Sequence, residues 1–192
     1  MATPMNINAF KERLGAGGAR PNQFKVWLTF PSPIPNGVES DNFLVTAASL
    51  PASNVNPTIV QYRGREVKLA GERTFDPWTI TVINDTQMSL RTKFEQWSNM
   101  MNIRANNGGI TLPSKYMVDL SVEQLDRNNE IIRSYGLKGA FPITVSEVGL
   151  SYGSNDVISE FTVTFQYQYF DVILPSFAAV SPANDNAQGV NG

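Results

Sequence analysis

Residues 157–169 read Val-Ile-Ser-Glu-Phe-Thr-Val-Thr-Phe-Gln-Tyr-Gln-Tyr, and this stretch decides the fold class. Apolar and polar side chains alternate along it, and the apolar set is Phe161, Val163, Phe165, Tyr167 and Tyr169. An alternation with a period of two predicts a β-strand with one buried face and one wet face. The polar set includes Glu160, Thr162, Gln166 and Gln168. Because that face is almost free of charge, it suits the wall of a polar passage or an interface as well as plain solvent.

Further strand patterns lie on both sides of this stretch, at residues 24–30, 43–48, 78–84, 116–125, 131–137 and 143–152. Turn-forming residues separate them, such as Asp126-Arg-Asn-Asn129 between the fourth and fifth segments. We expect those two segments to pair antiparallel. The sequence predicts a mostly β fold, an antiparallel β-sandwich or barrel, with one flanking α-helix and a protruding β-hairpin.

The flanking helix is predicted after residue 84. Leu90, Phe94, Trp97 and Met101 recur at positions i, i+4, i+7 and i+11, which places them on one apolar stripe. Side chains that can cap its N-terminus occur at residues 84–86. We expect the stripe to pack across a sheet. The predicted structural core comprises Trp78, Phe94, Trp97, Phe161 and Phe165.

The protruding hairpin is predicted at residues 59–70, where charged side chains flank a glycine, Gly64. A two-stranded hairpin is marginal in water unless its faces pack on something, so a neighbouring subunit is one natural support. A hairpin folded back on its own domain is the alternative. The residues around the bend of this predicted hairpin are Tyr62, Arg63, Gly64, Arg65, Glu66, Lys68 and Leu69.

The two ends of the chain differ from its middle. Residues 1–18 form an expected N-terminal arm with a short helix, because Ile7, Phe10 and Leu14 have helical spacing before a glycine cluster. A single domain is predicted over residues 1–174. Residues 175–192 form an extension of small and polar residues without periodicity, which we expect to become ordered only against a neighbour.

Composition excludes several classes of function. The net charge is −2 without a basic cluster, which argues against a general affinity for the nucleic-acid backbone. The chain has no cysteine and no histidine, so the usual thiolate and imidazole ligands and the commonest general base are missing. The carboxylates at residues 119, 123, 126 and 130 have the positions of solvated surface groups. We therefore predict no catalytic residue, no cofactor, no metal site and no membrane insertion, and we expect that the chain is not an enzyme.

Three blocks of the sequence resemble the tail tube proteins of contractile-tailed myophages. The first is Ala70–Asp85 together with Arg91, Phe94 and Trp97 on the helix that follows. The second runs from Lys138-Gly-Ala-Phe-Pro142 through the closing strands, and the third is Ala19-Arg-Pro-Asn-Gln-Phe24. They occur in the same order and at similar distances as in that family, over about residues 19–170.

The resemblance implies a structural protein of the virion tail, assembled in the host cytoplasm. Six copies would close into a ring, and the rings would stack into a hollow tube inside a contractile sheath. The implied partners are further copies of the chain, the sheath protein, baseplate and terminator proteins, the tape measure protein, and double-stranded DNA that passes through the lumen without specific binding.

The resemblance also suggests roles for individual residues. Gly71 would lie in a turn, and Arg73 and Asp85 would form an ion pair. The hairpin would reach an adjacent subunit or ring, with Tyr62, Arg63, Gly64, Arg65, Glu66, Lys68 and Leu69 at the contact. The lumen candidates are Glu160, Thr162, Gln166 and Gln168, although the same face could instead meet the helix or the sheath.

Other readings stay open at this point. A tube-initiating baseplate protein, or the tube protein of a related contractile injection machine, would share the fold. A monomeric β-barrel that binds a small ligand belongs to another class, and it predicts a stable monomer with an interior cavity.

Overall fold

A computed structural model describes residues 6–14, 18–36 and 39–173. Three α-helices are present in these ranges: α1 (Ile7–Leu14), α2 (Ser89–Met101) and α3 (Pro113–Tyr116). The strands are β1 (Phe24–Trp27), β2 (Val45–Ala48), β3 (Ser53–Tyr62), β4 (Arg65–Phe75), β5 (Trp78–Ile83), β6 (Val118–Leu125), β7 (Ile131–Val145), β8 (Glu160–Gln166) and β9 (Tyr169–Ile173). A 3₁₀ helix covers Glu39–Leu44. The predicted extension at residues 175–192 lies outside the described residues.

Two antiparallel sheets share the long strand β7. Its first part pairs with β6 and β9, and β6 pairs with β1, which gives a first sheet in the order β1-β6-β7-β9. Its last part pairs with β8, and the second sheet continues in the order β7-β8-β5-β2. The chain changes sheets near Gly139, whose φ of 62° lies in the left-handed region that favours glycine. The predicted antiparallel β architecture is confirmed.

The core lies between the two sheets, and α2 closes it. Leu90, Phe94 and Trp97 are the buried residues of α2. The ring of Phe94 lies 5.9 Å from that of Phe165 and 5.2 Å from that of Phe30. The indole of Trp97 donates to the carbonyl oxygen of Tyr116 at 2.8 Å. All five predicted core residues are buried: Trp78, Phe94, Trp97, Phe161 and Phe165.

The start of α2 differs from the prediction. The helix begins at Ser89, after Met88 in a left-handed conformation with φ 49°, so none of residues 84–86 occupies the N-cap. Asp85 still provides a hydrogen-bond acceptor at the N-terminus of the helix, because its carboxylate accepts from the Ser89 backbone amide at 2.7 Å and from the Ser89 hydroxyl at 2.8 Å. The expected Arg73–Asp85 ion pair is wrong, since Arg73 lies on β4 opposite Val55 and Asp85 is engaged by Ser89.

Several predicted strands have different bounds: the strand expected at residues 24–30 ends at Trp27, and the one expected at residues 157–169 begins at Glu160. The strand expected at residues 43–48 begins only at Val45, because the 3₁₀ helix before it places Asp41 against Lys93 of α2. The strand expected at residues 143–152 is wrong, since β7 runs unbroken to Val145 and residues 146–159 form a loop. The last strand ends at Gln166, and the chain then enters β9, so Tyr169 is exposed rather than buried.

Candidate assembly surfaces

The largest projecting element is the hairpin of β3 and β4, residues 53–75, which we call the arm. Its strands form a separate two-stranded sheet, and every residue from 53 to 70 is exposed. The turn at its tip is Arg63-Gly64, with φ values of 47° and 79°. Two consecutive positive φ values are typical of the tight turns that match the twist of a hairpin. The predicted protruding hairpin is confirmed and is longer than residues 59–70.

Gly71 explains how the arm continues past its predicted end. The pairing shifts between Val55 opposite Arg73 and Pro57 opposite Ala70, so β4 contains one extra residue there. A Cβ on Gly71 would lie 2.6 Å from the carbonyl oxygen of Asn56. Gly71 therefore occupies a β-bulge where two backbones approach closely, and the turn predicted at this position is wrong.

An aromatic cluster holds the root of the arm. The ring of Phe75, the last residue of β4, lies 5.9 Å from that of Tyr167 and 5.6 Å from that of Phe170. Burial, with the nearby Asp76 carboxylate, raises the pKa of Tyr167, and its phenol donates a hydrogen bond to the carbonyl oxygen of Ala52. The arm is thus fixed at its root and uncovered along its length.

The two faces of the arm differ in chemistry. The cross-strand pairs Val60–Val67, Thr58–Leu69 and Tyr62–Arg65 share one face. The guanidinium of Arg63 lies 5.5 Å from the ring of Tyr62, at the tip end of the arm. We call this side of the arm, with Arg63 and Arg65 at its tip, the apolar face of the arm. On the opposite face, Gln61 donates to Glu66 at 3.1 Å, and Ile59 pairs with Lys68.

A second exposed apolar surface is the loop at residues 146–159, which we call the distal loop. Four of its apolar side chains are exposed: Leu150 at 87%, Tyr152 at 107%, Val157 at 77% and Ile158 at 67%. The loop is held at both ends. Ser146 accepts from Arg91 at 3.1 Å and exchanges hydrogen bonds with Thr162, while the Ser159 carbonyl oxygen accepts from the Asn84 amide at 2.9 Å.

The arm and the distal loop lie at opposite ends of the second sheet. Trp78, three residues after the end of the arm, is paired with Phe165 at one end of β5. Ile83, at the other end of β5, is paired with Glu160, the residue that follows the distal loop. Five residues of strand separate these two ends, which is about 17 Å at roughly 3.4 Å per residue.

The outer faces of the two sheets are chemically distinct. Cross-strand pairing places five threonines on the outer face of the second sheet: Thr79, Thr81, Thr144, Thr162 and Thr164. We call this the threonine face, and the hydroxyls of Thr79 and Thr164 lie 3.0 Å apart on it. Of the predicted lumen candidates, Glu160, Thr162 and Gln166 belong to the β8 side of this face. Gln168 lies beyond the end of β8, at the bend before β9.

The outer face of the first sheet is charged instead. Lys25 pairs with Glu123 across β1 and β6, and the Lys138 ammonium lies 2.7 Å from Asp119. Burial acts to raise the pKa of Asp119, but hydrogen bonds from Lys138 and the Gly139 amide outweigh it and lower the pKa overall. The same contact raises the pKa of Lys138. Asp119 therefore joins β6 to the point where β7 changes sheets.

Sequence reasoning found the arm and missed the distal loop. The sequence predicts strands at residues 143–152 and 157–169, which places Leu150 and Tyr152 in the first strand and Val157 and Ile158 in the second. The signal that distinguishes a loop from a strand here is the pair of glycines at positions 149 and 153 together with Ser154-Asn155-Asp156, which favour a loop.

No helix among residues 6–14, 18–36 and 39–173 is both long and apolar enough to cross a bilayer.

Comparisons with known proteins agree on one family. The family model described as "Phage tail tube protein" matches residues 19–173. The tail tube protein gp19 of Enterobacteria phage T4 is 32% identical over 154 residues, which is 80% of this chain and 91% of that protein.

Solved structures share the fold at lower identity. A chain in the baseplate of the anti-feeding prophage has a TM-score of 0.59 at 15% identity, covering 90% of this chain and 97% of its own. A chain in the sheath-tube complex of an extracellular contractile injection system has a TM-score of 0.56 at 14% identity, covering 91% of this chain and all of its own. The match over residues 19–173 and the identity to gp19 establish that this chain belongs to the phage tail tube protein family.

Proposed function

We propose that this chain is the subunit of a contractile-phage tail tube, in which six copies close into a ring and rings stack inside a sheath. The observation that carries the proposal is the arm at residues 53–75, which is exposed along its length and anchored only at its root. An isolated two-stranded hairpin is marginal in water, so a surface on another copy would stabilise it. The residues proposed at this contact are Tyr62, Arg63, Gly64, Arg65, Glu66, Lys68 and Leu69.

The positions of the projecting surfaces support stacking rather than a closed dimer. A two-fold dimer uses the same patch on both copies, whereas a head-to-tail contact uses two different patches and propagates. The arm and the distal loop are two different apolar surfaces at opposite ends of one sheet. Two different surfaces at opposite ends allow each copy or ring to bind the next one in the same orientation.

The threonine face is the proposed wall of the lumen. Hydroxyl and amide groups offer no cation to a phosphate, and the affinity of proteins for the DNA backbone depends on Lys and Arg. The lumen candidates Glu160, Thr162 and Gln166 extend this face along β8, and Gln168 is proposed at its rim. A wall of this kind would let double-stranded DNA and a tape measure protein pass without being retained.

The remaining partners are proposed from the family. The structural relatives include a baseplate chain and a chain of a sheath-tube complex, which support sheath and baseplate contacts for this chain. The chain would work in the virion tail as a structural protein, and we assign it no catalytic role. A tube initiator of the baseplate is the second candidate, and it predicts rings that do not polymerise without a template.

The first test is negative-stain microscopy of the purified chain over a concentration series, with mass photometry of the dilute sample. Hollow tubes or six-membered rings are the expected result. A monomer that stays monomeric at high concentration, also after addition of a baseplate template, would contradict the proposal and favour a ligand-binding module.

The lumen assignment has its own test in assembled tubes. Thr164→Arg places a cation on the threonine face, and Ser121→Arg places one on the outer face of the first sheet. Thr164→Arg tubes should retain double-stranded DNA at low salt and release it at high salt. Retention by Ser121→Arg tubes alone would place the first sheet at the lumen instead.

A further inference from the structure

We propose that the apolar face of the arm of one copy docks on the distal loop of a second copy, and that opposite charges orient the two surfaces. This inference rests on the proposed function, because it names the surface that receives the arm in the assembled tube.

The charges of the two segments are opposite in sign. The arm contains four basic residues and two acidic ones, and Arg63 and Arg65 lie together at the tip of its apolar face. The distal loop contains Glu147 and Asp156 and no Lys or Arg, and the exposed Glu160 follows directly. The arm therefore has a net charge of +2 and the distal loop a net charge of −2, in a chain whose total net charge is −2. Complementary charges of this kind set the register of an interface and disfavour wrong partners.

Both segments also offer apolar area that the chain does not cover. Val60, Val67 and Leu69 are about half exposed on the apolar face of the arm. Leu150, Tyr152, Val157 and Ile158 are more exposed still on the distal loop. Exposed apolar residues rimmed by charge are typical of interaction sites. Because Ser146 and Ser159 are held by hydrogen bonds, the loop presents these side chains from a fixed base.

The geometry requires that the two partners belong to different copies. The roots of the arm and of the distal loop are at opposite ends of β5, and residues 53–70 of the arm are exposed rather than packed back along the sheet. Ten residues of β3 at roughly 3.3 Å per residue carry the tip about 33 Å from its root. An arm of this reach extends well beyond its own domain, to where the distal loop of another copy can receive it.

Charge reversal tests the pairing. The arm variant is Arg63→Glu with Arg65→Glu, and the loop variant is Glu147→Lys with Asp156→Lys. Each variant alone should raise the critical concentration for tube formation at least about tenfold, since like charges would then face each other. The variant that combines all four substitutions should polymerise within about threefold of the wild type, because the charges are again opposite.

Mixing the two variants is the decisive step. The arm variant has an acidic arm and an acidic loop, and the loop variant has a basic arm and a basic loop. An equimolar mixture should form tubes containing both proteins at concentrations where neither forms tubes alone. Lys115→Glu with Arg127→Glu makes the same change in net charge as the arm variant, away from both surfaces, and should leave assembly near wild type. Circular dichroism of each dilute variant checks that the domain is folded.

The outcomes separate the two proposals. If the wild type forms tubes but neither the four-substitution variant nor the mixture is rescued, the pairing is wrong and the tube function stands. If the arm variant forms normal tubes but no longer binds a sheath protein, the pairing is wrong and the arm contacts the sheath. If the wild type forms neither rings nor tubes, the proposed function fails and the pairing fails with it.

Discussion

Replacing Phe75 by alanine should release the arm from the body without unfolding the rest of the domain. Phe75 is partly buried and contacts the rings of Tyr167 and Phe170. A fully buried Phe→Ala change costs about 3–5 kcal/mol. Because Phe75 keeps part of its surface in water, we expect a loss of about 2–3 kcal/mol in the free energy of unfolding. The loss corresponds to a melting temperature roughly 4–12 °C lower for a domain of this size.

The assay is urea unfolding of dilute protein, with amide hydrogen exchange of the arm read in parallel. Exchange at residues 53–75 should accelerate more than exchange in β5 and β8, since the substitution acts at the root of the arm. The matched control is Ile59→Ala, which removes an exposed side chain in the middle of the arm and should change stability by less than about 0.5 kcal/mol. A Phe75→Ala protein as stable as this control would show that the aromatic cluster does not hold the arm.

Three further predictions concern the body of the domain. Gly139→Ala should destabilise it by about 1–2 kcal/mol in thermal unfolding, because φ is 62° there; wild-type stability would contradict the strain. Asp41→Asn should lower the free energy of unfolding in urea by roughly 3 kcal/mol, since it leaves the largely buried Lys93 ammonium without its carboxylate partner. Lys93→Met with Asp41→Leu should recover part of that loss. The lowered pKa of Asp119 stabilises the fold above the unfolded pKa of about 3.9, and this stabilisation is lost as the pH falls through the folded pKa. Asp119→Asn should therefore make the free energy of unfolding depend less on pH at acid pH. A dependence unchanged from wild type would contradict this.

Period-two and helical patterns predicted the parts of the fold where burial decides the structure. The alternation at residues 160–167 gave the buried face of β8, and the stripe at Leu90, Phe94 and Trp97 gave the packed face of α2. In both cases a whole face must leave water, so a different register or period would expose large apolar groups. The arm is predicted for a related reason: the segment on both sides of Gly64 is rich in charged residues, and such a segment is not expected to be buried in a core.

The errors occurred where the structure supplies a neighbour that the residue pattern does not show, in some cases remote in sequence and in one case local. The resemblance predicts a turn at Gly71, but the residue that requires a glycine there is Asn56 on the opposite strand. The resemblance predicts an ion pair between Asp85 and Arg73, but the turn before α2 brings Ser89 to Asp85 instead. Tyr169 continues the alternation of β8, yet the bend before it transfers the chain to the other sheet. Neither the alternation of residues nor the family resemblance shows which group lies next to each of these side chains, so these positions needed the structure.

The apolar residues of the distal loop show why some sequence signals of an assembling protein are misassigned. A residue such as Leu150 has the pattern of a core residue but is exposed in the single copy. Pattern reasoning assumes that apolar groups are buried by their own chain, and in a subunit part of the burial is supplied by the next copy. If the arm of a second copy covers the loop, the low fraction of charged residues has a physical reason, because surfaces that become interfaces are depleted in charge. The few charges that remain on the arm and the loop then have a role that burial alone cannot perform, which is to select one orientation of the incoming copy.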